Sequence, residues 1–290
     1  MKVSAVFMNN SGLMNIGWTI TQKQRLRELS ANHSEQEKLF SNVQERNKAF
    51  SKIEQALKEK SRQNLQKIRK TRRRPKICEL ETNLTNALVK NGFVQVVTPI
   101  LIAKGSLEKM SLGEDHSLLK QVFWVDEKKC LRPMLAPNLY YLLRELVNVW
   151  EKPIRIFEIG PCFRRDQGGR HHVNEFTMLN LVELGLPMEI RKQRLKEFAS
   201  LVMDVANIKN YKFVLKKSEV YGETLDILSV IEVASGAMGP HSLDVPWKII
   251  DPWVGIGFGL ERLVMVKEKY QNIQRAGRAL VYLDGERLNI

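Results

Sequence analysis

Between residues 19 and 70 the apolar positions Leu26, Leu29, Leu39, Phe40, Val43, Phe50, Ile53 and Leu57 recur near helical spacing, and no Pro or Gly interrupts them. The segment is predicted helical, and Ser34 with Glu37 has the spacing of a capping box. From residue 76 the texture changes. "ICELETNLTNALVKNGF" keeps the helical period and stops at Gly92. "FVQVVTP" is a short β-branched strand closed by Pro99. "KQVFWVDEKKCLRPML" reads as strand, turn, strand. "APNLYYLLRELVNVW" is a helix with Pro137 in its first turn, where a missing N–H costs nothing. "IRIFEIGPCFRRD" and "NEFTMLNLVEL" are strands around a charged tip, and "PMEIRKQRLKEFASLVMDVANI" is an amphipathic helix. The remainder is mostly strand up to "GIGFGLERLVMVKEKY", a Gly-rich strand running into a helix. Antiparallel strands with helices between and outside them predict an α+β fold, an antiparallel sheet core flanked by helices. The expected organisation is a flexible extension over 1–17, a helical, basic region over 18–75 and a core over 76–290.

Charge changes the picture more than composition does. Of 290 residues, 46 are Lys or Arg and 32 are Asp or Glu, a net charge of +14. A field of that size favours a polyanion, with nucleic acid ahead of an anionic membrane surface. No apolar run approaches the roughly 18–20 residues of a membrane span, and the N-terminal stretch lacks the features of a signal peptide. Lys23, Arg25 and Arg27 precede the helical segment, and "KIRKTRRRPK", with Arg72, Arg73 and Arg74, follows it. That run is either a solvated linker or a contact to backbone phosphates. Cys78, Cys130 and Cys162 lie far apart without metal spacing, which fits idle thiols in a reducing cytoplasm.

Candidate chemistry clusters in two places. In "WVGIGFGLERLVMV" the glycines at 255, 257 and 259 do not fit a dinucleotide fingerprint. On alternate strand positions they strip one face of side chains, so that something flat can lie there. Arg262 follows in the first helical turn, where a guanidinium can stack on a base or reach a phosphate. Phe176 on another strand completes a sandwich for a purine, and Arg164 sits where phosphates emerge. Glu232 and Ser235, at a strand-compatible offset, are hard oxygen ligands of the kind that suit Mg²⁺.

These residues carry a resemblance. Arg164 before a hairpin and Phe176 after it resemble motif 2 of class II aminoacyl-tRNA synthetases, "GFGLER" resembles motif 3, and Pro99 after "FVQVVT" resembles motif 1, the family's dimer element. "LRPMLAPNLY", "EFTMLNL", "VYGETLDIL" and "DPWVGIGFGLER" are similar to the catalytic domain of the pyrrolysyl-tRNA synthetase family over roughly residues 20–290. The resemblance implies two steps: an amino acid is activated by ATP and Mg²⁺ to an adenylate, then passed to a pyrrolysine-specific tRNA.

The resemblance also implies residue roles. Arg164 and Asp166 would be catalytic, and Asp166 stands where relatives often carry Glu. Arg164, Asp166, His172, Phe176, Glu232, Ser235, Gly257 and Arg262 would bind ATP, with Glu232 and Ser235 holding the metal. Ala136, Leu139, Tyr140, Leu143, Met178, Asn180, Val182, Tyr221, Trp253 and Gly255 would line the pocket for pyrrolysine or a related lysine derivative. Apolar members suit a long stem and ring, Asn180 an amide, and Tyr221 a lid. Val182 replaces a Cys of some relatives. A homodimer in the cytoplasm is expected. Either a separate small tRNA-binding polypeptide assists, as in the bacterial form, or the chain acts alone. A class II enzyme for another amino acid, or a non-catalytic tRNA-binding paralogue, are the competing readings.

Overall fold

The computed structural model describes residues 6–8, 14–112, 116–165, 169–218 and 220–290. The chain divides into two compact units, one of residues up to Pro75 together with Ala279–Ile290, the other Lys76–Arg278. The last residues therefore group with the N-terminal unit, where the sequence places them in the core.

In the first unit, β1 (Val6–Met8) pairs antiparallel with β2 (Met14–Ile16), so the expected flexible extension is in part a hairpin. Residues 1–5 and 9–13 lie outside the described residues. Helix α1 (Ile20–Glu28) opens on a capping box of Thr19 and Gln22. Helix α2 (His33–Gln36) opens on Asn32 and Glu35, two residues before the predicted box. There the Ser34 hydroxyl donates to Asn32, and Glu37 pairs with Lys23 at 2.6 Å instead of turning back. Helix α3 (Val43–Lys67) continues as a wider π turn over Ile68–Arg72 and ends at Arg73 in the left-handed region. Ile68–Arg72 of the basic run thus form the last turn of a long helix, and Arg73–Pro75 lead from it to the second unit. Trp18, Leu26, Leu29, Phe40 and Leu57 form the small core, while Leu39 and Val43, expected in the apolar stripe, are exposed. Asn64 bonds Glu286, Arg72 pairs with Asp284 and Arg287 with Glu28, which fastens the C-terminal hairpin to the helices.

In the second unit, α4 (Lys76–Lys90) buries Leu80, Leu84 and Leu88, and the chain turns at Gly92, whose φ of +80° disfavours other residues. Only β3 (Val94–Gln95) of the predicted "FVQVVTP" strand pairs, parallel to its neighbour. Strand β4 (Leu101–Ala103), helix α5 (Lys104–Glu108) and strand β5 (Lys129–Leu131) follow; β4 and β5 pair with each other. Of the predicted strand before the turn, Lys120 and Gln121 end a 3₁₀ segment, Ser117–Gln121, and Trp124 makes a single bridge to Cys130. Helix α6 (Ala136–Leu146) leads to β6 (Ile154–Phe163) and β7 (Glu175–Leu184). Helix α7 (Arg191–Val205), β8 (Lys212–Ser218), β9 (Gly222–Leu228), β10 (Glu232–Gly239), β11 (Trp253–Gly259) and α8 (Leu260–Glu268) complete the unit.

The seven-stranded sheet runs β3-β6-β7-β11-β10-β9-β8. Alternation assigns its faces. Phe157, Leu179, Leu181, Val254, Ile256 and Phe258 pack with α4, α7 and α8 on one side. Ile154, Ile156, Val182, Leu184 and Trp253 pack with α6 and the 3₁₀ turn Ser242–Trp247 on the other. The fold is α+β, and the second face carries the site.

Candidate active site

Helix α6 presents Ala136, Leu139, Tyr140 and Leu143, spaced i, i+3, i+4 and i+7, to one cavity. The opposite wall is sheet. Register pairs Met178 with Gly259, Asn180 with Gly257 and Val182 with Gly255. The alternate glycines leave room for the side chains opposite them: a Cβ on Gly257 would meet Asn180 Oδ1 at 2.7 Å. Asn180 Oδ1 is buried and has no hydrogen-bond partner among the described residues, an acceptor that lacks a donor. Two aromatic walls are fixed from behind by buried Asp244. The Tyr140 hydroxyl donates to its Oδ1, the Trp253 indole N–H to its Oδ2, both at 2.9 Å, and the His241 amide donates at 2.8 Å. Burial raises the Tyr140 and Tyr221 hydroxyl pKa values above the ordinary tyrosine range, so both remain neutral donors.

A second cavity adjoins the first. It is lined by Arg164, His172, Phe176, Glu232, Ser235, Gly257 and Arg262 among others. Arg164, Met178, Ser235 and Gly257 line both cavities and form their common wall. Hydrogen bonding of the Arg164 amide to the Asn174 carbonyl closes the β6–β7 hairpin. The side chain is half-buried, and burial lowers its pKa. Its Nε donates to the Pro133 carbonyl at 2.7 Å, its guanidinium lies 5.4 Å from the Phe176 ring centre, and no carboxylate pairs with it among the described residues. Even partial burial of a cation without a counter-charge is costly unless an anion arrives. Asp166, expected beside it, lies outside the described residues.

Glu232 and Ser235 are three positions apart, an offset that puts two side chains on opposite faces of a regular strand. A register shift between Glu232 and Ala234 supplies the extra residue, and both side chains reach the same cavity. The offset taken as strand-compatible therefore requires a bulge. The Ser235 hydroxyl donates to Asp226 Oδ1 at 2.6 Å, and Lys216 contacts both Glu232 and Asp226. Among the described residues no three His, Cys, Asp or Glu side chains gather as a metal site. Two carboxylates and a hydroxyl drawn around one ammonium are hard oxygen donors, a set that fits Mg²⁺ held mainly through a ligand's phosphates.

The structure brings all ten residues expected around the amino acid to the first cavity, and the described residues expected around the nucleotide to the second. Sequence reasoning missed Lys216, Asp226, Asp244 and Glu261. Polar Thr224 and Asp226 alternating inside the apolar "TLDIL" strand are a legible signal for one of them. Glu261 is buried, both its oxygens accept the Thr177 amide at 2.9 Å, and burial pushes its carboxyl up to about 7. It fixes β7 one residue beyond Phe176.

A family model, tRNA synthetases class II core domain (F), matches residues 60–284. Threonine–tRNA ligase of Wolbachia sp. subsp. Brugia malayi is 28% identical over 135 residues, 43% of this chain and 21% of that ligase. O-phosphoserine–tRNA(Cys) ligase of Methanococcus vannielii is 27% identical over 184 residues, 59% of this chain and 33% of that ligase. The chain thus spans about a fifth to a third of the length of these curated relatives. A crystal structure of pyrrolysyl-tRNA synthetase from Desulfitobacterium hafniense superposes with a TM-score of 0.90 at 54% identity, covering 94% of this chain and 99% of that one. A second structure from the same organism gives 0.88 and 53%, covering 94% and 96%. With the core model matching most of the chain and a solved relative of this identity covered almost entirely, the chain belongs to the class II tRNA synthetases and, among them, to the pyrrolysyl-tRNA synthetase family.

Proposed function

We propose that the chain is a pyrrolysine–tRNA ligase that works through an aminoacyl-adenylate. The observation that carries this is the common wall. An apolar cavity with one amide acceptor unpaired among the described residues meets a cation-rich cavity at a half-buried guanidinium that no described carboxylate compensates. In the first step the amino acid's carboxylate attacks the α-phosphorus of ATP and pyrophosphate leaves. In the second a 3′-terminal tRNA hydroxyl attacks the adenylate and AMP leaves. Arg164 holds carboxylate and α-phosphate together and neutralises charge that grows in the transition state. Phe176 and Arg262 flank the base, while His172 and Gly257 border the nucleotide. Glu232 and Ser235 would hold Mg²⁺, which neutralises phosphate charge when bound. Ala136, Leu139, Leu143, Met178, Val182 and Gly255 surround the aliphatic stem and ring of pyrrolysine, and Tyr221 covers it. ATP–pyrophosphate exchange across a panel of amino acids tests this reading. Pyrrolysine should support the fastest exchange, and exchange driven better by a standard amino acid would overturn it.

The assembly is a dimer in this reading. Strand β3 is the sheet's outer strand, and Val94, Val97, Ile100 and Leu101 around it are exposed, Val97 at 88%. An open strand edge with apolar side chains favours pairing with a second copy. No helix among the described residues is long and apolar enough to cross a membrane, and the reaction belongs where tRNA and ATP are, the cytoplasm.

The basic surface is assigned to tRNA. Lys23, Arg25 and Arg72, three of the charges expected to meet phosphates, are engaged by Glu37, Glu54 and Asp284. Arg69 and Lys70 on the π turn and Arg73 at its end show no acidic partner among the described residues. Replacing these three with Gln should flatten the salt dependence of tRNA binding by up to about two to three units of log–log slope. Pyrophosphate exchange, which needs no tRNA, should be unaffected. An unchanged slope would show this turn to be solvated only.

A further inference from the structure

Strand β8 lies at the sheet's other edge and brings Lys216 to the metal-holding residues. Its ammonium is 2.5 Å from Glu232 Oε2 and 3.1 Å from Asp226 Oδ2, and Asp226 accepts the Ser235 hydroxyl at 2.6 Å. Glu232 and Ser235 face the nucleotide cavity, so this cation shares the oxygens assigned to Mg²⁺. An ammonium and a divalent ion repel at this range and cannot both occupy one donor set. The Lys216 side chain is 41% exposed on a flexible four-carbon stem, so it can leave for solvent. The pair with Glu232 is half-exposed and adds little to stability, while buried Asp226 keeps the Ser235 hydroxyl as a partner when the ammonium leaves.

We infer that Lys216 is an internal stand-in for the divalent cation. It compensates Asp226 and Glu232 while no metal–nucleotide complex is bound, and keeps the two like charges from splaying apart. When the metal enters with the phosphates, the ammonium withdraws. Lys216 therefore acts through Glu232 and Asp226 as a positioning residue, and it sets how much free metal the site requires. The inference rests on the proposed role of Glu232 and Ser235.

Mn²⁺ titration of the nucleotide-free protein, read by electron paramagnetic resonance, tests it without turnover. Lys216→Met and Lys216→Gln remove the competitor and leave both carboxylates. Each should bind Mn²⁺ about three- to tenfold more tightly than the wild type, the scale of one or two ion pairs with an exposed lysine. Lys216→Arg keeps the charge and should stay near the wild type. In Lys216→Met combined with Asp226→Asn the gain should disappear. Mn²⁺ binding by Lys216→Met and Lys216→Gln that is no tighter than wild type overturns the inference. Wild-type pyrophosphate exchange measured alongside separates the two failures. Exchange intact with unchanged Mn²⁺ affinity removes only the role of Lys216, whereas absence of exchange with every amino acid removes the functional reading beneath it.

Discussion

Arg164→Ala should lower pyrrolysine-dependent pyrophosphate exchange by about 10²–10³, the usual effect of removing one donor aimed at developing charge. Its geometry supports so large an effect. The half-buried guanidinium lies on the wall shared by both cavities, anchored through Nε to the Pro133 carbonyl, with its remaining donors uncommitted to any carboxylate among the described residues. The loss should fall mainly on kcat, because the charge it stabilises is greatest in the transition state. Arg164→Lys should recover only part of the rate. It restores the charge but not the fork that reaches Pro133 and a phosphate together. Wild-type exchange in Arg164→Ala would remove this residue from the chemistry.

Asn180→Ala should cost pyrrolysine up to about 10⁴ in kcat/KM and raise activity toward bulky apolar or aromatic analogues. A site built around a polar contact discriminates steeply by it. Asn180 Oδ1 is a buried acceptor with no partner among the described residues, held over Gly257 on the neighbouring strand. Its replacement widens the cavity and removes the group that otherwise penalises a ligand lacking a donor. Gly257→Ala should move activity in the same direction by displacing the amide, since the added Cβ would meet Asn180 Oδ1 at 2.7 Å. Unchanged kcat/KM for pyrrolysine in Asn180→Ala would contradict the assignment.

The parts legible in the sequence are those that repeat with the local period. Ala136, Leu139, Tyr140 and Leu143 fall on one helical face by spacing alone, and glycines at 255, 257 and 259 announce a bare strand face. Parts that depend on partners distant in sequence were hidden. Lys216 meets Glu232 across the sheet, and Asp244 reaches Tyr140 and Trp253 from a separate turn. The bulge between Glu232 and Ala234 leaves no mark in the residue pattern, because "IEVASGAM" reads as an ordinary strand. Boundaries suffered where a side chain found a stronger partner. Glu37 pairs with Lys23 and so does not cap at Ser34, and Arg72 pairs with Asp284 where the charge run suggested solvent. The resemblance named the pocket residues, while the physical reading of each alone left them ordinary.

The most direct measurement is the mass of the group attached to tRNA after single-turnover reaction with ATP, Mg²⁺ and a mixture of pyrrolysine and the standard amino acids. The account predicts pyrrolysine on the tRNA 3′ end, with one AMP released for each tRNA charged. A standard amino acid on the tRNA, or tRNA bound but never charged, would contradict it.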